Sequence, residues 1–241
     1  MIENLPIYIS VIFGITTLLT LLLFYLALRN SENKEIRSEA TLIILGLIVW
    51  LILQAFLGIT DVYNSDATAL PPPLVLFGVL PAIVLIVLMF VTRNGKRFVD
   101  SLPLINITNL NVVRVFVEIV LFLLFVQKAV PQLMTFSGRN FDILAGLSAP
   151  FIAYYGLKKF TISRRMILIW NIISLLLLAN IVIHAVLSIP SPFQKLAFDQ
   201  PNIAVLNFPF CWLPTFIVPL ILFGHLVSIR QLIRNNPDDD L

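Results

Sequence analysis

Long apolar runs make up most of this chain, and polar residues collect in short breaks between them. A helix crossing the ~30 Å hydrocarbon core of a bilayer needs about 20 apolar residues. Seven runs meet that length, near 5–29, 40–60, 72–93, 110–130, 141–158, 165–189 and 203–230, the run at 141–158 being the shortest. The breaks read NSENKEIRSE, DVYNSDATALPPP, RNGKRFVDSLPLINITN, PQLMTFSGRN, KKFTISRR and PSPFQKLAFDQPN, and none has room for an inserted soluble domain. The pattern predicts an all-α polytopic membrane protein, a bundle of seven transmembrane helices. Residues 1–241 then form a single transmembrane domain ending in a short polar tail at 231–241.

Composition sharpens this. Of the 241 residues 59% are hydrophobic and 12% charged, with a mean hydropathy of +0.98. A soluble domain carries about 25% charged residues, so lipid must replace water over most of this surface. Lys and Arg then orient the spans, because cytoplasmic loops carry the excess. Alternate loops hold Arg29, Lys34 and Arg37, then Arg93, Lys96 and Arg97, then Lys158, Lys159, Arg164 and Arg165; with Arg230 and Arg234 these are 12 of the 16 basic residues. The opposite side holds Lys128, Arg139 and Lys195, and Arg114 lies inside a run. An odd number of spans follows, with the N-terminus outside and the C-terminus in the cytoplasm. The basic pI of about 9.2 is thus a topology signal, not a nucleic-acid footprint, and the partner it implies is the lipid bilayer. Protein partners leave no mark in the sequence. The start, MIENLP, has no basic segment before the apolar run, so that run is expected to remain as a span.

The last run contains NFPFCWLPTFIVP, whose Cys211-Trp212-Leu213-Pro214 matches the Cys-Trp-x-Pro hinge of G-protein-coupled receptors. That hinge belongs to a sixth helix running outward, whereas this run is the seventh and runs inward. Val91-Thr92-Arg93 is not the receptor triplet either, so the receptor reading fails. Residues 203–230 contain no lysine for a retinal Schiff base. The prolines are informative in another way. Pro209, Pro214 and Pro219 recur every five residues, and each removes a backbone donor. Freed carbonyls at membrane depth persist only where protein or water satisfies them, so this span is expected to be kinked or partly unwound and to face the bundle interior.

Ionisable groups inside a span cost roughly 2.5–3.5 kcal/mol on insertion scales and usually have a partner or a task. NVVRVFVEIV carries Arg114 and Glu118 at i and i+4, on one helical face. They read either as a helix-locking ion pair near the cytoplasmic boundary or as a coupling or gate pair, with Glu118 the proton or cation carrier. A second group gathers toward the outer side: Gln54, Gln127, Arg139, Asn140, Asp142, Asn180, His184 and Asn207. These form either an outward-facing pocket for a small polar or anionic solute, with Arg139 as anchor, or interhelical hydrogen bonds. The only histidines, His184 and His225, fall at opposite ends of their spans, so neither a bis-histidine haem nor a zinc site is expected. No cofactor and no catalytic residue is assigned, since nucleophile-elbow, Walker and zinc-protease signatures are absent.

Two comparisons follow from spacing. Seven spans admit a three-plus-one-plus-three division, as in the SWEET sugar carriers, whose halves are parallel repeats. Pro71 and Pro81 stand ten residues apart in the third run, as Pro209 and Pro219 do in the seventh. Separately, VVRVFVEIVLFLLF followed by PQLMTFSGRNFDILAGLSAP, with Arg114, Glu118, Thr135, Phe136, Gly138, Asn140, Phe141 and Asp142, resembles a group of uncharacterised seven-span bacterial membrane proteins. That resemblance implies a bacterial inner membrane and no particular chemistry. The expected function is binding or transport of a small polar or anionic solute, the alternative a non-catalytic membrane scaffold or assembly protein.

Overall fold

The computed structural model describes residue 2, residues 5–66 and residues 68–234. The predicted tail at 231–241 lies outside the described residues from 235 onward, and 231–234 belong to the last helix. Among the described residues the chain is helical and has no strand. The α-helices are α1 (Ile7–Arg29), α2 (Lys34–Ile59), α3 (Leu80–Val91), α4 (Arg93–Ser101), α5 (Leu104–Leu110), α6 (Val113–Val126), α7 (Asp142–Phe151), α8 (Arg164–Ser188) and α9 (Val218–Arg234). Wider π turns precede α3 at Val75–Val79, follow α7 at Ile152–Lys158, and precede α9 at Leu213–Ile217. Side-chain caps start three of the helices, with Asn33, Thr92 and Ser163 accepting from the amides of Glu35, Gly95 and Met166.

Five helices are long and apolar enough to cross a membrane: α1, α2, α5 with α6, α8, and the last π turn with α9. Residues 75–91 and α4 make a sixth if that pair, bent by 90°, is one span. Their outer faces suit lipid. Leu42, Leu45, Val49, Ile52 and Phe56 on α2, and Ile169, Ile173, Leu176 and Ile183 on α8, stand exposed. In water such a surface would forgo roughly 25 cal/mol per Å²; in a bilayer it costs nothing. The chain is a membrane protein built from α-helices.

Three runs differ in detail from their predicted bounds. The fourth, expected at 110–130, starts earlier and runs over Leu104–Val126 with a turn at residues 111–112, because Thr108 is buried in the bundle and its polarity does not keep that segment out of the span. The fifth, expected at 141–158, is helical from Asp142 to Lys158 only through its π continuation, and is not among the helices long enough to cross. In the seventh, residues 203–212 form turns and a short 3-10 segment, and the helix proper begins at Leu213.

Prolines account for the π turns at Val75–Val79 and Leu213–Ile217. Pro81 has no N–H for the carbonyl four residues back, that of Phe77, and Gln54 Nε2 donates there instead at 3.2 Å. Pro219 leaves the Thr215 carbonyl in the same position, and Trp50 Nε1 donates to it at 3.0 Å. Trp50 and Gln54 are one turn apart on α2, so a single helix face satisfies both freed carbonyls. The π turns meet at Gly78, where an added Cβ would lie 2.4 Å from Thr215 Cγ2; only glycine allows that approach. Pro209 precedes the helix and kinks nothing. Pro214 sits in the first turn, where a missing N–H is no loss.

One end of the bundle is tied together by polar contacts. Ser31 Oγ donates to Ser101 O at 3.1 Å and Glu32 N to the same carbonyl at 3.1 Å. Gln231 Nε2 donates to Val99 O and Leu102 O, Arg230 pairs with Asp100 at 2.7 Å, and Arg164 Nη2 reaches Gln231 O at 3.4 Å. The α1–α2 turn, α4, the start of α8 and the end of α9 therefore share that end.

Candidate functional site

The densest polar group is buried and centred on Arg114, which is only 2% exposed. Arg114 Nε donates to Asp142 Oδ2 at 2.7 Å and Nη2 pairs with Asp142 Oδ1, a two-pronged bond that matches guanidinium to carboxylate. Nη2 also donates to Ser174 O at 3.0 Å and Nη1 to Asn111 Oδ1 at 3.2 Å. Nη1 stands 3.0 Å from His225 Nε2. Sequence position and close packing build this arrangement. Asp142 opens α7, where the positive end of the helix favours a carboxylate. One turn later Gly146 lets α7 lie against α6, since a Cβ there would be 2.9 Å from Val115 N.

His225 is held in one tautomer. A guanidinium can only donate, so Nε2 accepts from Arg114 and the ring proton sits on Nδ1. Nδ1 then donates to Asn171 Oδ1 at 3.1 Å, whose amide nitrogen donates to Ile167 O at 3.0 Å. The imidazole is neutral in this arrangement and serves as an acceptor for Arg114.

Glu118, 1% exposed, completes the network. Its Oε1 accepts from Asn140 Nδ2, and Asn140 Oδ1 accepts from Asp142 N at 3.0 Å. Asn140 Nδ2 also donates to Met134 O at 3.1 Å. Among the described residues, Glu118 Oε2 is buried without a hydrogen-bond partner. Arg114 is already neutralised by Asp142. An ionised Glu118 therefore adds an unbalanced charge, and a protonated one adds an unmet donor. Either way its second oxygen lacks the partner that a buried polar atom ordinarily finds.

This corrects two expectations. Arg114 takes Asp142, not Glu118, as its ion-pair partner, because Asp142 presents both oxygens to the guanidinium edge while Glu118, one turn along, turns to Asn140. Arg114 and Glu118 do not sit apart from Asn140 and Asp142: all four belong to one network. His225, Asn111, Asn171 and Ser174 join it without having been singled out for it. The signal was the extent of the helices. With the fourth span starting at Leu104 and the seventh at Leu213, Arg114 and His225 each fall near the middle of their helix.

The other predicted ligand residues are dispersed. Gln54 is fully buried and occupied, its nitrogen by Phe77 O and its Oε1 by the Tyr63 hydroxyl. Gln127 caps α6 and is exposed, as is the side chain of Arg139. Asn180 Nδ2 donates to Arg139 O at 2.9 Å, and His184 Nδ1 bonds Asn180 O at 2.8 Å. Asn207 Nδ2 donates to Ile203 O at 3.0 Å. A cavity of about 660 Å³ lies elsewhere, between α2, α3, α4 and α9, and its walls are mostly apolar.

A family model described as "Domain of unknown function (DUF8737)" matches residues 71–233, more than half of the chain, and the chain belongs to that family. Neither a curated protein nor a solved structure matches it. The family's description names no activity. The matched region begins at the first proline of the third run and contains Arg114, Glu118, Asn140, Asp142 and His225.

Proposed function

We propose that this member of the DUF8737 family is a carrier of a small polar or anionic solute, with Glu118 as the group that couples solute passage to a proton. Counting residues 75–91 and the run from Asp142 to Lys158 as spans gives seven, with the N-terminus outside and the basic end of the bundle in the cytoplasm of a bacterial inner membrane. The observation that carries the reading is Glu118 Oε2, a buried carboxylate oxygen without a hydrogen-bond partner among the described residues, inside an otherwise balanced charged network. Titratable groups at membrane depth mark proton relays in pumps and transporters. Arg139, exposed and without an ion pair among the described residues, is the entry-side contact for an anionic solute.

The test is solute-dependent proton movement into proteoliposomes loaded with a pH-sensitive dye and offered a panel of carboxylates, phosphate esters and neutral polar solutes. At least one solute should drive dye response in the wild type. Glu118→Gln should abolish it while keeping the melting temperature within a few degrees. Solute-driven proton movement that survives Glu118→Gln would remove Glu118 from coupling.

A second reading, a non-catalytic scaffold, is favoured by the internal satisfaction of Gln54, Asn180, His184 and Asn207. It expects no dye response from any solute in the wild type, and only a change of stability in Glu118→Gln.

A further inference from the structure

The cavity of about 660 Å³ falls in the size range of ligand pockets, yet offers a polar solute almost nothing to bond. It is a groove left where α2 and α3 fail to pack along their lengths, floored by α9; in the other half of the chain α8 packs closely on α9. Trp50, Leu85, Met89, Phe216 and Phe223 line its length.

What closes one end identifies the occupant. There α4 turns 90° from the preceding helix, so that Asn94, Gly95 and Phe98 face the groove. It is pinned in that position by Asp100 to Arg230 and Arg234, and by Gln231 to the carbonyls of Val99 and Leu102. On the opposite side of the same short helix Arg93, Lys96 and Arg97 are exposed, and none of their side chains has a hydrogen bond or ion pair among the described residues. Such a helix, with Phe98 toward a hydrophobic slot and cations on its outer face, has the character of an interfacial amphipathic helix. An apolar slot ending beneath three uncommitted cations matches a molecule with a hydrocarbon chain and an anionic head.

We infer that this groove is a binding site for an anionic phospholipid, one acyl chain lying between α2 and α3 and the phosphate head on Arg93, Lys96 and Arg97. The site is independent of Glu118 and of the carrier reading. Each basic residue at a membrane surface adds attraction for anionic lipid, so three together should select it over a zwitterionic lipid of the same chains by roughly tenfold or more.

The experiment is native mass spectrometry of the full chain released from vesicles of equal phosphatidylglycerol and phosphatidylcholine with identical acyl chains. Two variants accompany it: Arg93→Gln/Lys96→Gln/Arg97→Gln, and Gly46→Phe. Gly46 lines the groove, and no atom lies within 4 Å of an added Cβ, so a larger side chain there starts from open space. Ala82→Leu, on the opposite wall, provides a second block should Gly46→Phe lower the yield of folded protein. The expected result is retained phosphatidylglycerol on the wild type, loss of the head-group preference in the triple variant, and loss of the bound lipid in the blocked variants. Retention of phosphatidylglycerol by both blocked variants would place the lipid on the surface and overturn the groove. Equal retention of both lipids by the wild type, or retention of neither, would overturn the site.

Discussion

Removing the carboxylate of Asp142 should cost far more than removing the whole Arg114–Asp142 pair. In Asp142→Leu the guanidinium stays buried and loses both charge-assisted bonds, keeping only neutral partners in Asn111, Ser174 and His225. Breaking a buried pair from one side costs about 3–5 kcal/mol, mostly the charge left behind. Arg114→Met strands Asp142 in the same way. The double variant leaves neither charge, and replacing a buried pair by apolar groups is often neutral or stabilising. The two single losses should therefore sum to about 6–10 kcal/mol, with the double variant losing no more than about 2 kcal/mol.

Glu118 adds a second signature. It is the nearest other carboxylate of the network and sits one turn along the same helix, so it becomes the only local counter-charge once Asp142 is gone. Glu118→Gln should thus be much more damaging in the Asp142→Leu background than in the wild type. The assay is equilibrium unfolding in mixed detergent, followed by far-UV circular dichroism across both double-mutant cycles. Additivity of Arg114→Met and Asp142→Leu within about 0.5 kcal/mol would refute the reasoning, because residues sharing one network do not add.

Trp50→Phe removes the donor to the Thr215 carbonyl and should cost about 1–3 kcal/mol; Pro219→Ala, which restores a backbone N–H to that carbonyl, should recover part of the loss in the same unfolding assay. Gly78→Ala drives a methyl group into Thr215 Cγ2 and should destabilise by about 1–3 kcal/mol, whereas Gly78→Ala/Thr215→Ser, which deletes that methyl, should sit close to wild type. Burial raises the pKa of the Tyr63 phenol in the loop after α2. Its contribution to stability should be complete below the unfolded value of about 10 and be lost as pH rises beyond it; an alkaline melting-temperature series against Tyr63→Phe checks this, and an equal alkaline loss in both proteins would exclude Tyr63 as its source.

The apolar runs located helices well where lipid lies on one side and the ends are charged: 5–29 corresponds to Ile7–Arg29, and 165–189 to Arg164–Ser188. They failed where polarity is internal. Asn106, Thr108 and Asn109 look like loop residues to a hydropathy count, yet they belong to a span whose neighbours bury Thr108. Apolar residues 203–212 fail in the opposite sense, being turns packed over the bundle rather than the start of a helix. Both shifts concern the helices that carry Arg114 and His225, so the sequence named the charged residues but mispaired them. Pairing depends on depth, and depth depends on helix ends that hydropathy alone does not resolve. Asn180 and His184 were read as one face at i and i+4, and they do share a contact, though it is with backbone rather than with each other's side chains.

The proline spacing carried more structural information than its brevity suggested. Val75–Val79 starts four residues after Pro71 and ends two before Pro81; Leu213–Ile217 starts four after Pro209 and ends two before Pro219. In both places the widened turn precedes a proline, and in both the carbonyl it frees is taken by an α2 side chain. The equivalence stops at the next layer of packing. α9 is closed over by α8, while α3 stands away from α2 and leaves the apolar groove. The two π-turned helices touch each other at Gly78 and Thr215, at one end of the groove, with α4 at the other. Gln54 and Trp50 therefore tie α2 to both helices near that contact, and the span between it and α4 is where α2 and α3 lack such a tie. The groove is thus bounded by hydrogen-bonded ties at the π-turn contact and by α4 at its far end, with mostly apolar side chains along the stretch between.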